Sequence, residues 1–210
     1  MNPFPMKNQN FSEKESLELI SQMIQQSKKN IEVGSGNVLL YYGYPAVALS
    51  ILVYVLVDVT HNSAWASLWF LMFVPFFFLK WTEKRSKPQV VTHIDKAIGS
   101  VWSIVGWMFL LTVAAILVAG SIIGSYNLSL MLPLSLLYAG IGISITGVML
   151  DFRLMIYTPI LAFMSAVYML VSLVAGCPSA DWWNLLFGAS FVIMMIIPGH
   201  VQNLKVKEAC

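Results

Sequence analysis

The three histidines are the side chains best suited to acid–base or metal chemistry, and their positions keep them apart. His61, His93 and His200 border different apolar segments of the chain. Many zinc hydrolases have a metal-binding cluster such as H-E-x-x-H, with two histidines one helical turn apart, and many serine hydrolases carry a G-x-S-x-G turn. The sequence has neither pattern. We therefore predict that the protein is not an enzyme and has no catalytic residue, metal site or cofactor.

Charged residues are equally informative, because a charge within a membrane is costly and is usually retained for function. Asp58, Asp151, Arg153 and Asp181 all fall at the ends of apolar segments rather than inside them. This placement disfavours a pump, an antiporter or a voltage sensor.

The two cysteines cannot form an intrachain disulfide if the apolar segments span a membrane. Cys177 and Cys210 would then be separated by roughly the 30 Å of hydrocarbon, whereas a disulfide requires Cα atoms within about 7 Å. A disulfide between the Cys177 residues of two copies is still compatible with the sequence, and it would give a homo-oligomer.

Composition defines the class of protein. Of 210 residues, 58% are apolar and 10% are charged, and the mean hydropathy is +0.76, whereas soluble domains are about 25% charged. The formal net charge of +2 leaves no basic face for nucleic acid. The sequence therefore predicts an integral membrane protein whose first partners are membrane lipids.

Apolar runs predict an all-α bundle of six transmembrane helices, because lipid accepts a span only when its backbone bonds are satisfied internally. The sixth run is expected to end in Pro198-Gly199, and a ten-residue tail, 201–210, follows the transmembrane domain, 37–200. The predicted spans are 38–57, 63–79, 101–122, 130–150, 154–175 and 182–197.

All 12 Lys and Arg residues fall on one side of this arrangement. The positive-inside rule makes that side cytoplasmic. We therefore predict a multi-pass protein of the bacterial inner membrane with both termini in the cytoplasm.

The first 36 residues are predicted to hold an amphipathic helix over 12–31. Ser12 and Glu15 have the capping-box spacing of a helix start, and apolar residues including Leu17, Ile20 and Ile24 share one helical face. This helix could lie on the inner membrane surface, pack under the bundle or dock a cytoplasmic protein.

The link between spans two and three carries a second set of candidate contact residues: Lys84, Arg85 and Lys87. These basic residues could simply fix the topology or could hold anionic lipid. After Pro88, the link is predicted to form a helix that enters the membrane without a break.

Small and weakly polar residues inside the spans favour close helix packing. Span four holds most of them and is predicted to form the centre of the bundle, although the same residues could line a groove for a lipid or apolar ligand. The candidate positions are Gly43, Pro45, Gly140, Gly142, Ser144, Thr146 and Gly188.

Four stretches of the sequence together suggest a family relationship. They are Glu15-Ser16-Leu17 with Ile20, Met23 and Ile24, the segment from Val91 through Asp95 to Trp102, Gly140 to Gly147 with Phe152-Arg153, and Ile196 to His200. In these stretches the chain resembles a family of small, uncharacterised, multi-span inner-membrane proteins of Bacteroidetes. The resemblance implies no assigned activity and no catalytic residue, and it implies genes adjacent to winged-helix regulators.

The leading hypothesis is a non-enzymatic protein with a regulatory or membrane-stress role exerted through cytoplasmic contacts. The alternative is a small transporter or channel for an apolar or zwitterionic solute, with its site among spans one, four and six. A structural or assembly role is the third interpretation.

Overall fold

The computed structural model describes residues 13–72, 74, 93–125 and 128–208, and every regular element in these ranges is helical. In the first helix, side chains are described at Leu17, Glu18 and Ser21 and then from Asn37 onward. The α-helices are α1 (Glu13–Thr60), α2 (His93–Ile123), α3 (Met131–Met149), α4 (Arg153–Tyr157), α5 (Pro159–Val174), α6 (Trp183–Phe191) and α7 (Ile197–Glu208). Two 3₁₀ helices (Ser63–Met72 and Leu128–Leu130) and a π-helical segment (Val192–Ile196) complete the order.

Five of the helical stretches are long and apolar enough to cross a membrane, which confirms the predicted fold class. They match predicted spans one, three, four, five and six within a few residues at most ends, and we keep those numbers. The stretches are Asn37–Thr60, Lys96–Ile123, Leu128–Met149, Arg153–Val174 and Trp183–Leu204.

Helix α1 continues without interruption from the N-terminal segment into span one. Its 48 residues correspond to a length of about 72 Å at 1.5 Å per residue. Gly34 and Gly36 lie inside it, which is tolerable because each glycine costs only about 1 kcal/mol relative to alanine in a helix. The predicted N-terminal helix and span one are thus one element.

Two ends of the bundle can be distinguished by their contacts. We call the end where Asn37 and Asn203 are hydrogen-bonded the basal end, and the end where Ser129 and Ser179 are hydrogen-bonded the distal end. Helix α1 therefore ends distally, at Thr60.

Span three runs antiparallel to span four, because Trp102 contacts Thr146 and, further along the chain, Thr112 contacts Tyr138. Helix α2 therefore begins at the basal end, at His93. The chain between Thr60 and His93 connects opposite ends of the bundle, as a second span requires. Of predicted span two, residues 63–72 form a 3₁₀ helix, and residues 73 and 75–79 lie outside the described residues.

Span six, not span four, is the most buried of the five stretches, so the predicted centre of the bundle is wrong. In the most hydropathic 18-residue window of span six 44% of the residues are buried, compared with 28% in span four. Span six packs against span one, the second half of α1, and also contacts spans four and five. The shared core includes Leu39, Ala46, Leu136, Ile143, Met155, Met169, Phe187 and Met194.

The expected end of span six at Pro198-Gly199 is also wrong, since the helix continues to Glu208. A proline inside an α-helix lacks an N–H and clashes with the carbonyl four residues earlier. The π-helical turn before Pro198 widens the helix at this point, and the Ile197 amide donates to Val192, five residues back. A π-turn of this kind lets the helix accommodate the proline.

Candidate functional site

Spans one and six pack closely against each other at two of the predicted glycines. A Cβ atom on Gly43 would lie 2.9 Å from Ile196 Cγ1, and one on Gly188 would overlap the Ser50 hydroxyl. Ser50 is itself fully buried and donates its hydroxyl to the Val47 carbonyl, at 2.8 Å. Pro45, two residues beyond Gly43, is half-buried inside α1. This seam leaves no space for a ligand at either glycine.

The predicted residues of span four instead face spans three and five. Trp102 Nε1 of span three donates to Thr146 Oγ1 at 3.2 Å, and Thr146 donates to the Gly142 carbonyl at 2.8 Å. The Trp102 ring lies 3.3 Å from the position of a Cβ on Gly142. Trp102 thus fills the space that the absence of a side chain creates at this glycine.

Two further span-four residues contact span five. A Cβ on Gly140 would lie 3.5 Å from Pro159 Cβ, and the Ser144 hydroxyl donates to the Ile156 carbonyl at 3.4 Å. Six of the seven candidate residues are therefore divided among three helix interfaces: spans one and six, spans four and three, and spans four and five.

A polar junction at the basal end joins spans one and six. The Tyr44 hydroxyl lies 2.6 Å from His200 Nε2, and the Asn203 amide donates to Asn37 Oδ1 at 3.0 Å. All four residues lie within the two candidate spans. We call Asn37, Tyr44, His200 and Asn203 the basal junction.

The basal junction was not predicted, because its hydrogen-bond partners are 156 and 166 residues apart in sequence. His200 was predicted to lie at the cytoplasmic end of span six, and no partner was predicted for it. The available signal was weak: seven residues separate Asn37 from Tyr44 and three separate His200 from Asn203, spacings that place each pair on one helical face.

The predicted contact residues are only partly described. Leu17 is 66% exposed on α1, and Ile20 and Ile24 follow on the same helix, with side chains outside the described residues. Lys84, Arg85 and Lys87 lie outside the described residues altogether. Leu17 is 20 residues before Asn37, or about 30 Å along the helix axis, so this surface lies well beyond the basal junction.

Residues suited to metal or thiol chemistry are dispersed. Within the described ranges, no three His, Cys, Asp or Glu side chains lie close enough to hold a metal ion. Cys177 is an exposed free thiol near the distal end, and Cys210 lies outside the described residues. No family model, curated protein or solved structure matches this chain.

Proposed function

We propose that this chain is a non-enzymatic protein of the bacterial inner membrane with a regulatory or membrane-stress role, exerted through a cytoplasmic partner bound by the N-terminal part of α1. The observation that carries the proposal is the continuity of α1 from Glu13 to Thr60. A single stiff helix mechanically couples a surface outside the bundle to the interior of the bundle.

The basal junction supports this coupling. From Asn37 back to Glu13, α1 extends for 24 residues, or about 36 Å, and the junction fixes the base of this extension to span six. A change in bilayer thickness or tension that shifts span one against span six would tilt the extension. The docking face around Leu17 would then move by more than the spans themselves.

The distribution of charge supports a cytoplasmic basal end. Lys96 and Arg153 begin spans three and five at the basal end, and Lys205 and Lys207 follow span six there. The segments 61–62, 124–127 and 175–182, which follow the distal ends of spans one and three and link spans five and six, contain no Lys or Arg. Short loops rich in basic residues remain in the cytoplasm.

The two cysteines offer a direct test of orientation. A membrane-impermeant maleimide applied to intact cells with a permeabilised outer membrane should label the Cys210→Ser variant, through Cys177, and leave the Cys177→Ser variant unlabelled. Lysis should allow labelling of both variants. The reverse pattern would place the proposed docking face outside the cytoplasm and overturn the proposal.

The docking role is tested by affinity capture of the full-length protein from detergent, with the captured proteins quantified by mass spectrometry. The test variant carries Leu17→Gln, Ile20→Gln and Ile24→Gln, and the matched control is Ser21→Gln on the same helix. We expect a cytoplasmic protein to be lost from the triple variant and retained by the control. Equal capture by all three proteins would exclude docking on this face.

The family resemblance adds a candidate class of partner. In that Bacteroidetes family, the resemblance implies that winged-helix regulators are encoded beside the membrane protein. We therefore expect the captured protein to be encoded next to the gene of this chain. We propose such a regulator as the first partner to test, through a protein–protein contact and with no direct binding of nucleic acid by this chain.

A small transporter is the second candidate, and the π-helical segment favours it, because π-turns often occur at functional sites. This segment packs directly on Gly43. Gly142, the span-four glycine predicted to line such a pathway, faces span three, where Trp102 fills the space beside it, so a pathway at this glycine requires Trp102 to move. If Gly142→Leu leaves flux in proteoliposomes unchanged while the protein still folds, this candidate fails.

A further inference from the structure

A cavity of about 460 Å³ lies at the basal end, between the turn that joins spans four and five and the last part of span six. This volume is within the range of small-molecule sites. None of the predicted site residues borders it. It is lined by Asp151, Phe152, Arg153, Leu154 and Val201.

The turn that forms one wall is held in place by backbone hydrogen bonds. The Leu150 amide donates to Thr146 at 3.0 Å, and the Phe152 amide donates to Gly147 at 2.9 Å. Asp151, between them, has a φ of 52°, a left-handed conformation that aspartate and asparagine adopt more readily than most residues. The turn therefore holds Asp151 in a defined position.

The cavity combines one negative charge, one positive charge and an apolar wall. Asp151 and Arg153 are exposed, and neither side chain is engaged in an ion pair or hydrogen bond within the described part of the chain. Leu154 and Val201 are half-buried beside them. Two free opposite charges that line one cavity complement a zwitterion.

The position of the cavity indicates where that zwitterion would come from. Span four ends at Met149 and span five begins at Arg153, so the cavity lies at the depth where the hydrocarbon gives way to headgroups. A phospholipid can place its headgroup there and its acyl chains along the apolar surface of the spans.

We infer that this cavity binds the headgroup of a zwitterionic phospholipid with a primary amine, phosphatidylethanolamine. The Arg153 guanidinium donates to the phosphate oxygens, a geometry that suits a planar fork of donors. The Asp151 carboxylate accepts hydrogen bonds from the ammonium group. Leu154 and Val201 contact the glycerol end of the lipid.

This chemistry predicts an order of lipid preference. Phosphatidylcholine has a phosphate and a positive charge, but its quaternary amine has no N–H to donate to Asp151. Phosphatidylglycerol has a phosphate and no positive charge, and Asp151 repels it. We expect binding to decrease from phosphatidylethanolamine to phosphatidylcholine to phosphatidylglycerol. The inference is independent of the proposed docking role.

The experiment measures lipid binding to the purified full-length protein in detergent by native mass spectrometry, with the three lipids carrying identical acyl chains. Wild-type protein should bind phosphatidylethanolamine about tenfold more tightly than phosphatidylglycerol, a difference of about 1.4 kcal/mol. Equal binding of the two lipids would overturn the inference.

Variants assign the preference to the two charges. Asp151→Asn preserves a residue that tolerates positive φ and should abolish the preference, whereas Arg153→Gln should weaken binding of all three lipids and Arg153→Lys should restore part of it. Asp181→Asn, which removes an exposed carboxylate at the distal end, is the matched control. If Asp151→Asn and Asp181→Asn behave alike, Asp151 does not recognise the headgroup.

A soluble headgroup distinguishes a lipid site from a solute site. Glycerophosphoethanolamine has the same phosphate and amine but no acyl chains. We expect it to displace the bound lipid only at concentrations far above those of the lipid itself. Displacement at equal concentration would show that the cavity takes a soluble zwitterion and would overturn the assignment to lipid.

Discussion

Hydropathy and burial rank spans three and six in opposite orders. Span three is the most hydropathic of the five stretches, yet none of its most hydropathic window is buried within the described structure, whereas span six is the least hydropathic and the most buried. In water the more apolar helix would occupy the core. In lipid, apolar side chains gain little by leaving the hydrocarbon, so close packing and polar contacts decide which helices associate.

Span six has residues that allow close packing and polar contacts, and span three has few of them. Gly188 allows close contact with span one, and Asn184, Ser190 and Gln202 are buried along span six. In span three, a Cβ added to Gly99 or Gly106 would meet no atom of the described residues within 4 Å. Identical substitutions in the two spans should therefore have very different effects.

The largest effect is expected from Gly188→Leu, because even the first carbon of a side chain would overlap the Ser50 hydroxyl. Overpacking of this kind destabilises by about 3 kcal/mol. Gly106→Leu in span three is the matched control and should stay within about 0.5 kcal/mol of wild type. Both are measured by reversible unfolding in mixed micelles, and equal losses would contradict the comparison.

The same clash can be relieved to show its origin. Gly188→Ala should be destabilising, and adding Ser50→Ala removes the overlapping oxygen and should restore part of the lost stability. A double-mutant cycle measures this coupling. Additive losses would indicate that the two positions are not in contact.

A smaller effect is expected from the tryptophans of span three. Trp102→Phe removes the hydrogen bond to Thr146, which should cost about 1 kcal/mol, within the range for polar contacts between membrane helices. Trp107 is 65% exposed, so Trp107→Phe should leave unfolding unchanged. Equal effects would show that the indole N–H of Trp102 contributes nothing to holding span three on the bundle.

The smallest effect concerns the basal junction. Tyr44→Phe removes the contact with His200 Nε2 and should lower stability by about 0.6 kcal/mol, the average for such membrane contacts. Tyr41→Phe, at a neighbouring exposed tyrosine, is the control. Hydrogen exchange at the amides of residues 37–44 should become faster in the first variant only. An equal increase in both variants would show that the basal junction does not stabilise this part of α1.

Local features of the sequence were sufficient to locate the spans. A helix enters lipid when about 20 consecutive residues are apolar, and this property can be recognised from the order of residues alone. The breaks between spans three and four and between spans four and five, and the continuous entry of α2 into span three, therefore agree with the prediction. The glycines were recognised as packing residues, but their partners, Trp102, Ser50 and Ile196, were not.

What the sequence by itself determined is that this chain forms an all-helical bundle with apolar spans and an N-terminal helix, since each depends on neighbours a few residues apart. The tertiary structure decided that span six lies deepest, that its helix continues past Pro198, and that Tyr44 meets His200 and Asp151 shares a cavity with Val201. Lipid solvates every apolar helix about equally well, so it does not determine which helices pair. The pairing depends on how side chains far apart in sequence fit together, and composition and periodicity carry no information on that fit.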